Sequence, residues 1–271
     1  MSNRQVLFPH HKPIIGMIHV PALPGTPGHH LSMPRILDQV KREVETYQVG
    51  GVDAIMLENM HDLPYLKREV GPEIVASMTM CAQVLRSATD LPAGIQILAG
   101  ANQAALSVAL AADLQFIRAE GFVFGHLADE GLMDADAGPL LRFRKMIEAT
   151  HVQIFADLKK KHSAHALTAD VSLLETAHAA EFFGVDGVII TGVATGKAAD
   201  LEDIRSVNQQ LDLPVWVGSG ITADNVADYL AVADGLIIGS WLKKDGNWRE
   251  APDPERIQTL MQAVRRWRES S

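Results

Sequence analysis

Eight short apolar runs, each followed by a longer amphipathic stretch, limit what this chain can fold into. The runs cover residues 14–19, 53–58, 94–98, 115–119, 153–158, 187–191, 215–218 and 235–239. Most are continuously apolar, as expected of strands covered on both faces. Helical periodicity marks residues 36–49, 74–88, 173–183 and 225–232 between them. Eight alternating strand and helix units in 271 residues predict an α/β fold, a (β/α)8 TIM barrel of parallel strands in one domain. Residues 1–12 form an N-terminal extension in this reading. The C-terminal helix occupies residues 254–271, its core at 254–267.

Internal echoes fit closure. "GVDAIML" at Gly51 returns as "GVDGVII" at Gly184 and, more loosely, as "VADGLII" at Val232. "DLPAGIQ" at Asp90 returns as "DLPVWVG" at Asp212. Both pairs are offset by four units, as a half-barrel duplication would place them. Recurrent packing needs at each strand start would produce the same echo. The longer connections are residues 20–34 and 121–138, which a barrel puts on its catalytic face.

Bulk charge and cysteine usage narrow the setting. The formal net charge is −9, whereas a general nucleic-acid or anionic-membrane surface needs excess Lys and Arg. Cys81 is the only cysteine, so no intrachain disulfide forms and a reducing compartment is favoured. The opening MSNRQVLFPHHK lacks the apolar segment of a signal peptide, and no apolar run reaches membrane-span length. A cytoplasmic protein with no membrane span and no nucleic-acid partner is expected. Trp241, Trp248 and Trp267 fall late in the chain and suit aromatic anchors of a homo-oligomer.

Strand seven ends in Gly218-Ser219-Gly220 and strand eight in Gly239-Ser240. Small-residue turns after the last two barrel strands form the phosphate site of such barrels, where backbone N–H groups approach an anion unobstructed. A helix beginning near Thr222 would add its positive end. Thr191 and Gly192, at the end of strand six, complete this pocket. Lys243 and Lys244 add charge there unless they are simply solvated.

A charged residue at a strand end inside a barrel is costly unless it has a role. In "QIFADLKKKH", period-two alternation puts Asp157, Lys159 and Lys161 on one face. A carboxylate and lysines converging there suit acid/base chemistry, with Asp157, Lys161 and His162 as candidates. An internal salt bridge is the structural alternative. His19 ends strand one, and Glu58 ends strand two ahead of Asn59 and His61. Gln96 on strand three is a neutral hydrogen bonder. Arg118 and Glu120 share a face of strand four and either serve the site or neutralise each other. His126, Asp129, Glu130 and Asp134 lie on the long loop after strand four, as a lid or a solvated loop.

No His-Glu-x-x-His motif or paired cysteines give a zinc signature. A divalent metal held by Glu58, Asp157 and a substrate phosphate is compatible with the residues but not demanded by them. The chain lacks a Gly-x-Ser-x-Gly elbow and a Gly-x-Gly-x-x-Gly loop after a strand. "GVATGK" at residues 192–197 has the wrong spacing for a Walker loop and reads as the loop after strand six.

Together "PIIGMIHVPALPG", "FADLKKKH", "GVIITGVATG", "PVWVGSGIT" and "GLIIGSWLKKDG" resemble the BtpA family across roughly the whole chain. The resemblance implies a ribulose-phosphate-binding-type TIM barrel without implying one settled reaction; sugar- and nucleoside-related roles have been suggested for some members. Many members carry an Arg-Asn-Asp stretch after strand three where this chain has Leu98-Ala99-Gly100-Ala101-Asn102. The strand-four stretch "RAEGFVFGHLADEG" also departs, so the chain reads as a distinct subgroup and a photosystem-specific role is not implied.

The expected function is an enzyme acting on a small phosphorylated molecule, a sugar phosphate or nucleotide fragment. Asp157 with Lys161 would carry acid/base chemistry, and Glu58, His19 or Arg118 would orient the substrate. Isomerase, lyase and hydrolase chemistry are all compatible, including a Schiff-base aldolase and a glycosidic hydrolase. The competing reading is a non-catalytic assembly factor, which needs an exposed apolar surface rather than a charged barrel mouth.

Overall fold

Continuously apolar strands bury both faces, and the eight runs do so by closing on one another. The computed structural model describes residues 7–8, 12–160, 162–192 and 199–270. Strands β1 (Ile14–His19), β2 (Ala54–Glu58), β3 (Ala93–Gln96), β4 (Phe116–Ala119), β5 (Gln153–Leu158), β6 (Gly187–Ile190), β7 (Val215–Val217) and β8 (Gly235–Ile238) form a closed parallel barrel in sequence order. Closure pairs Ile14 with Leu236 and Gly16 with Ile238. The helices are α1 (Met33–Gly50), α2 (Pro72–Ala88), α3 (Asn102–Ala111), α4 (Ala137–Met146), α5 (Leu173–Phe182), α6 (Leu201–Gln210), α7 (Val226–Val232) and α8 (Pro254–Ser270). Every expected strand is present, with ends within two residues of the sequence reading.

Inside the barrel, large rings face glycines. Phe116 pairs in register with Gly94, Phe155 with Gly187 and Trp216 with Gly235. A Cβ on Gly94 would lie 2.2 Å from the Phe116 ring, and one on Gly187 2.4 Å from Phe155. Phe155 and Trp216 stack at 3.6 Å between centroids, and Phe116 meets Trp216 edge-on. Ile15, Met17, Ala54, Met56, Ile189 and Ile237 complete this interior cluster, with Phe8 of the N-terminal extension packed against it. The alternate residues of each strand belong to the larger core shared with the helices, as period two requires.

The sequence echoes have a local cause. Asp53, Asp186 and Asp234 each precede a strand. Each donates its backbone N–H to the carbonyl of Ile14, Ile154 or Val215 in a neighbouring strand. Each also accepts from the N–H of that same residue through Oδ2. The preceding Gly51 and Gly184 both have φ of +84°, the left-handed conformation that ends a helix.

Short strands decorate the mouth. Residues 126–128 and 131–133 form a hairpin, and Ser163–Ala164, from the loop after β5, pairs with its first strand. Arg68 ties this region down. It donates to the carbonyls of Gly100, Gly121 and Asp134, and its NH1 lies 3.1 Å from Asp136 Oδ2.

Candidate active site

Period two carries the interior face of β1 to β5 upward until its last inward residue is polar: His19, Glu58, Gln96, Arg118 and Asp157. All five are buried at the C-terminal end of the barrel. Register sets His19 beside Glu58, and Glu58 beside Gln96. His19 Nδ1 lies 2.8 Å from the Trp248 carbonyl. A carbonyl only accepts, so Nδ1 carries a hydrogen and Nε2 is the exchangeable nitrogen. That Nε2 lies 3.4 Å from Glu58 Oε2.

Arg118 grips Asp157 with two parallel bonds of 2.9 Å, from Nε and NH2. Burial alone would lower the Arg118 pKa, but Asp157, with Glu58 and Glu120 nearby, holds it above its ordinary value. Arg118 and Glu120 therefore make no direct ion pair with each other, each being paired elsewhere. Glu120 accepts from Lys160 at 3.0 Å and from Gln96 at 3.2 Å. Burial raises the Glu120 pKa against the opposing effect of Lys160. Asn102, in the stretch where the chain departs from the family pattern, bonds both the N–H and the carbonyl of Glu120 and reaches Asp136.

The shared face expected for Asp157, Lys159 and Lys161 is not continued. β5 stops at Leu158, and Lys159 adopts φ of +43°, which breaks the two-residue alternation. Lys159 turns to the Thr168 carbonyl, and Lys160 enters the site instead. Lys161 lies outside the described residues. His162, at φ of +57°, lines the cavity.

The turns after β7 and β8 lie close to these side chains. A Cβ on Gly239 would come within 3.3 Å of His19 Nε2, and one on Gly218 within 3.5 Å of Arg118 NH2. Gly220 has φ of +73°, a conformation that glycine adopts without strain. Ser219 Oγ accepts from the N–H of Gly192 at 2.8 Å, linking the β6 and β7 loops. The helix expected near Thr222 starts only at Val226. Asn225 accounts for the delay: its side chain accepts from the Thr222 N–H and donates to the Gly220 carbonyl, closing a non-helical turn.

One cavity of about 470 Å³ joins these parts. His19, Glu58, Gln96, Arg118, Glu120, Lys160 and His162 line it, with Gly218, Ser219, Gly220, Gly239 and Ser240. Asp157, Thr191 and Gly192 are not among the lining residues. Asp157 stands behind Arg118 and borders a second cavity of about 20 Å³ with His126, Lys160 and His165, room for about one water. Burial, with Lys160, His165 and Arg68 nearby, lowers the His126 pKa to about 4. For a metal, Glu58 lines the main cavity beside His19, whereas Asp157 gives both oxygens to Arg118. Among the described residues, no group of three or more His, Cys, Asp or Glu side chains is placed to hold an ion.

Three further features escape a linear reading. Trp241 and Trp248 form cavity wall rather than outer anchors, stacked under Arg256 and Arg249. Trp267 is half-buried beside Lys12. Lys243 is not solvated but 1% exposed, with Nζ 3.5 Å from Glu43 Oε2 on α1, and burial lowers its pKa. No helix among the described residues is long and apolar enough to cross a membrane.

The sequence profile of the BtpA family matches residues 10–266. The chain belongs to the BtpA family. A relative within reach of it is an uncharacterised Caenorhabditis elegans protein whose name carries "mitochondrial". It is 49% identical over 256 residues, covering 93% of this chain and 92% of its own. The photosystem I biogenesis protein BtpA of Synechocystis is 33% identical over 258 residues, covering 95% and 89%. Among solved structures, the Thermoplasma acidophilum (S)-3-O-geranylgeranylglyceryl phosphate synthase, in complex with sn-glycerol-1-phosphate, aligns with a TM-score of 0.59. It is 18% identical and covers 95% of this chain and 94% of that one. At that identity the likeness shows the shared TIM-barrel fold of a BtpA-family chain.

Proposed function

We propose that the protein is an enzyme acting on a small phosphorylated molecule at the C-terminal end of the barrel. The observation that carries this reading is the single cavity in which the His19–Glu58 pair and Arg118 lie against the glycine-serine turns of β7 and β8. In this reading backbone N–H groups of Gly218–Gly220 and Gly239-Ser240 hold the phosphate, and Arg118 supplies the nearby positive charge. Gly192 shapes the pocket from behind through Ser219, and Thr191 lies against Gly218. The structural neighbour that binds sn-glycerol-1-phosphate adds support by analogy of fold.

His19 Nε2 exchanges the proton, and Glu58 pairs with the imidazolium that results. Asp157 is a positioning residue in this scheme, fixing the guanidinium plane of Arg118. Proton transfer next to a carbonyl or hydroxyl needs only such a positioned acid and base. The name of the Synechocystis relative suggests an assembly role. Against that role, a charged cavity supports catalysis better than docking. The test is a thermal-shift screen with phosphorylated sugars and nucleotides, followed by turnover assays on any stabilising compound. Glu58→Gln and His19→Gln should each lower turnover by about 100-fold or more while the compound still stabilises the fold. A screen in which no phosphorylated compound raises the melting temperature overturns the proposal.

A further inference from the structure

Two buried acceptors in the described part of this cavity have no hydrogen-bond partner: Gln96 Oε1 and Glu130 Oε2. Both residues line it. Gln96 comes from the end of β3, and Glu130 from the two-residue turn of the hairpin after β4. In the ring of eight strands, β3 and β4 stand across from β7 and β8. Gln96 Oε1 thus faces the cavity from the strand side opposite the glycine-serine turns, and Glu130 Oε2 from the hairpin at the mouth.

We infer that this end of the cavity is a hydroxyl-binding subsite, where Gln96 Oε1 and Glu130 Oε2 accept from the polyol end of a phosphorylated ligand. The inference rests on the preceding reading for where the phosphate lies. The Gln96 amide is held in one orientation because its Nε2 donates to Glu120 Oε1. Reversing it would set oxygen against oxygen. Its Oε1 is therefore left needing a donor, as is a carboxylate oxygen of Glu130, and buried acceptors without donors are costly until one arrives. A neutral amide oxygen and one carboxylate oxygen lining the same cavity suit hydroxyl groups better than a cation, because the other nearby carboxylate, Glu120, already has Lys160. Tyr65 and Trp248 line the same cavity. The Tyr65 hydroxyl is bonded to the Met60 carbonyl, so it contributes mainly its ring, a surface suited to the C–H face of a sugar. The hairpin that carries Glu130 is thus the specificity element of the site.

The test is calorimetric titration of the full chain with inorganic phosphate, glycerol 1-phosphate, ribose 5-phosphate and fructose 6-phosphate. Wild type, Gln96→Met and Glu130→Ala are compared. In wild type at least one hydroxyl-bearing phosphate should bind about tenfold or more tightly than inorganic phosphate. Each variant should erase most of that advantage and leave affinity for inorganic phosphate within about twofold. Glu130 sits on a surface turn, so its variant folds even if Gln96→Met does not. An advantage that persists in Glu130→Ala, or none in wild type, overturns the subsite. Loss of inorganic phosphate binding alone, with hydroxyl-dependent binding retained and variant-sensitive, overturns the phosphate reading and leaves the subsite standing.

Discussion

Arg118 is the side chain on which the site depends, because it is buried and two-thirds of its fork is committed to one carboxylate. Its Nε and NH2 both donate to Asp157, whose side chain is 0% exposed. Breaking such a pair from one side costs about 3–5 kcal/mol, since the partner is left buried and uncompensated. Asp157→Asn keeps one acceptor and should fall at the low end of that range in a denaturant titration. It should also weaken binding of phosphorylated ligands, because the guanidinium plane is no longer fixed. A variant of wild-type stability would show that the pair is not structural. Buried His126 and half-buried His61 set a pH dependence. Burial, with Lys243 and Arg249 near His61 and with Lys160 near His126, lowers both pKa values from 6.5 to about 4. In that window the unfolded chain takes up protons that the folded chain refuses, so stability falls as pH drops through it. Raised carboxyl pKa values at Asp62, Asp136 and Glu120 act in the opposite sense. Comparing melting temperatures of wild type and His126→Gln cancels those common contributions. The difference should shift against wild type between about pH 6.5 and 4 and be flat above. A difference that is flat throughout would remove His126 as the cause.

Elements are positioned here by small complementary pairs. Phe116, Phe155 and Trp216 each lie over a glycine on a neighbouring strand, so ring size and glycine are coupled across the sheet. Gly94→Ala puts a methyl group 2.2 Å from Phe116 and should destabilise the barrel by about 1–3 kcal/mol. Adding Phe116→Leu should recover part of that loss in the same unfolding measurement. Failure of the double substitution to recover anything would locate the strain in the backbone. Strand starts use another pair, an aspartate bonding both backbone groups of one residue next door. Asp53 serves Ile14 in this way and also pairs with Arg268 of α8. The repeated Gly-x-Asp is thus accounted for by strand registration at β2 and β6, with or without an ancestral duplication. The mouth is held by Arg68, which bonds three carbonyls and meets Asp136. Arg68→Met should free the β4 hairpin, read as faster protease cleavage within residues 121–136 with little change in global unfolding. Unchanged cleavage would mean that the hairpin is held mainly by Ser163–Ala164.

At the scale of the molecule, the net charge of −9 and the cavity combine into one expectation. In the proposed reading the net charge repels anions at long range and the phosphate is held at short range by Arg118 and the backbone N–H groups of the two turns, so phosphate affinity should change only modestly with salt. A homo-oligomer is still expected, but the three tryptophans no longer supply its contacts. The candidate contacts are exposed apolar side chains on the outer helices, with Phe182 87% and Val49 89% exposed. Light scattering at micromolar concentration should return a multiple of 29.5 kDa. A monomer mass would reject it.

Strand number and order were legible from residue order alone, because the spacing of apolar runs is a local property of the backbone. Polar residues at or near the ends of apolar runs singled out His19, Glu58, Gln96, Arg118 and Asp157, and the structure makes them the last inward residues of β1 to β5. The rest depended on what lies across space. Asp157 was read with Lys161, yet its partner is Arg118, one strand away rather than a few residues along. Lys160 was passed over because Lys159 takes a left-handed backbone that period two cannot foresee. Trp248 was read as an outer anchor and Lys243 as a phosphate-site or solvated lysine, and only the folding of the β8 loop against α1 and β1 buries Lys243 and brings Trp248 against His19. Period describes one strand at a time, whereas a site is made where several meet. Which charges pair, and which acceptors are left waiting for a donor, is therefore decided by the tertiary structure.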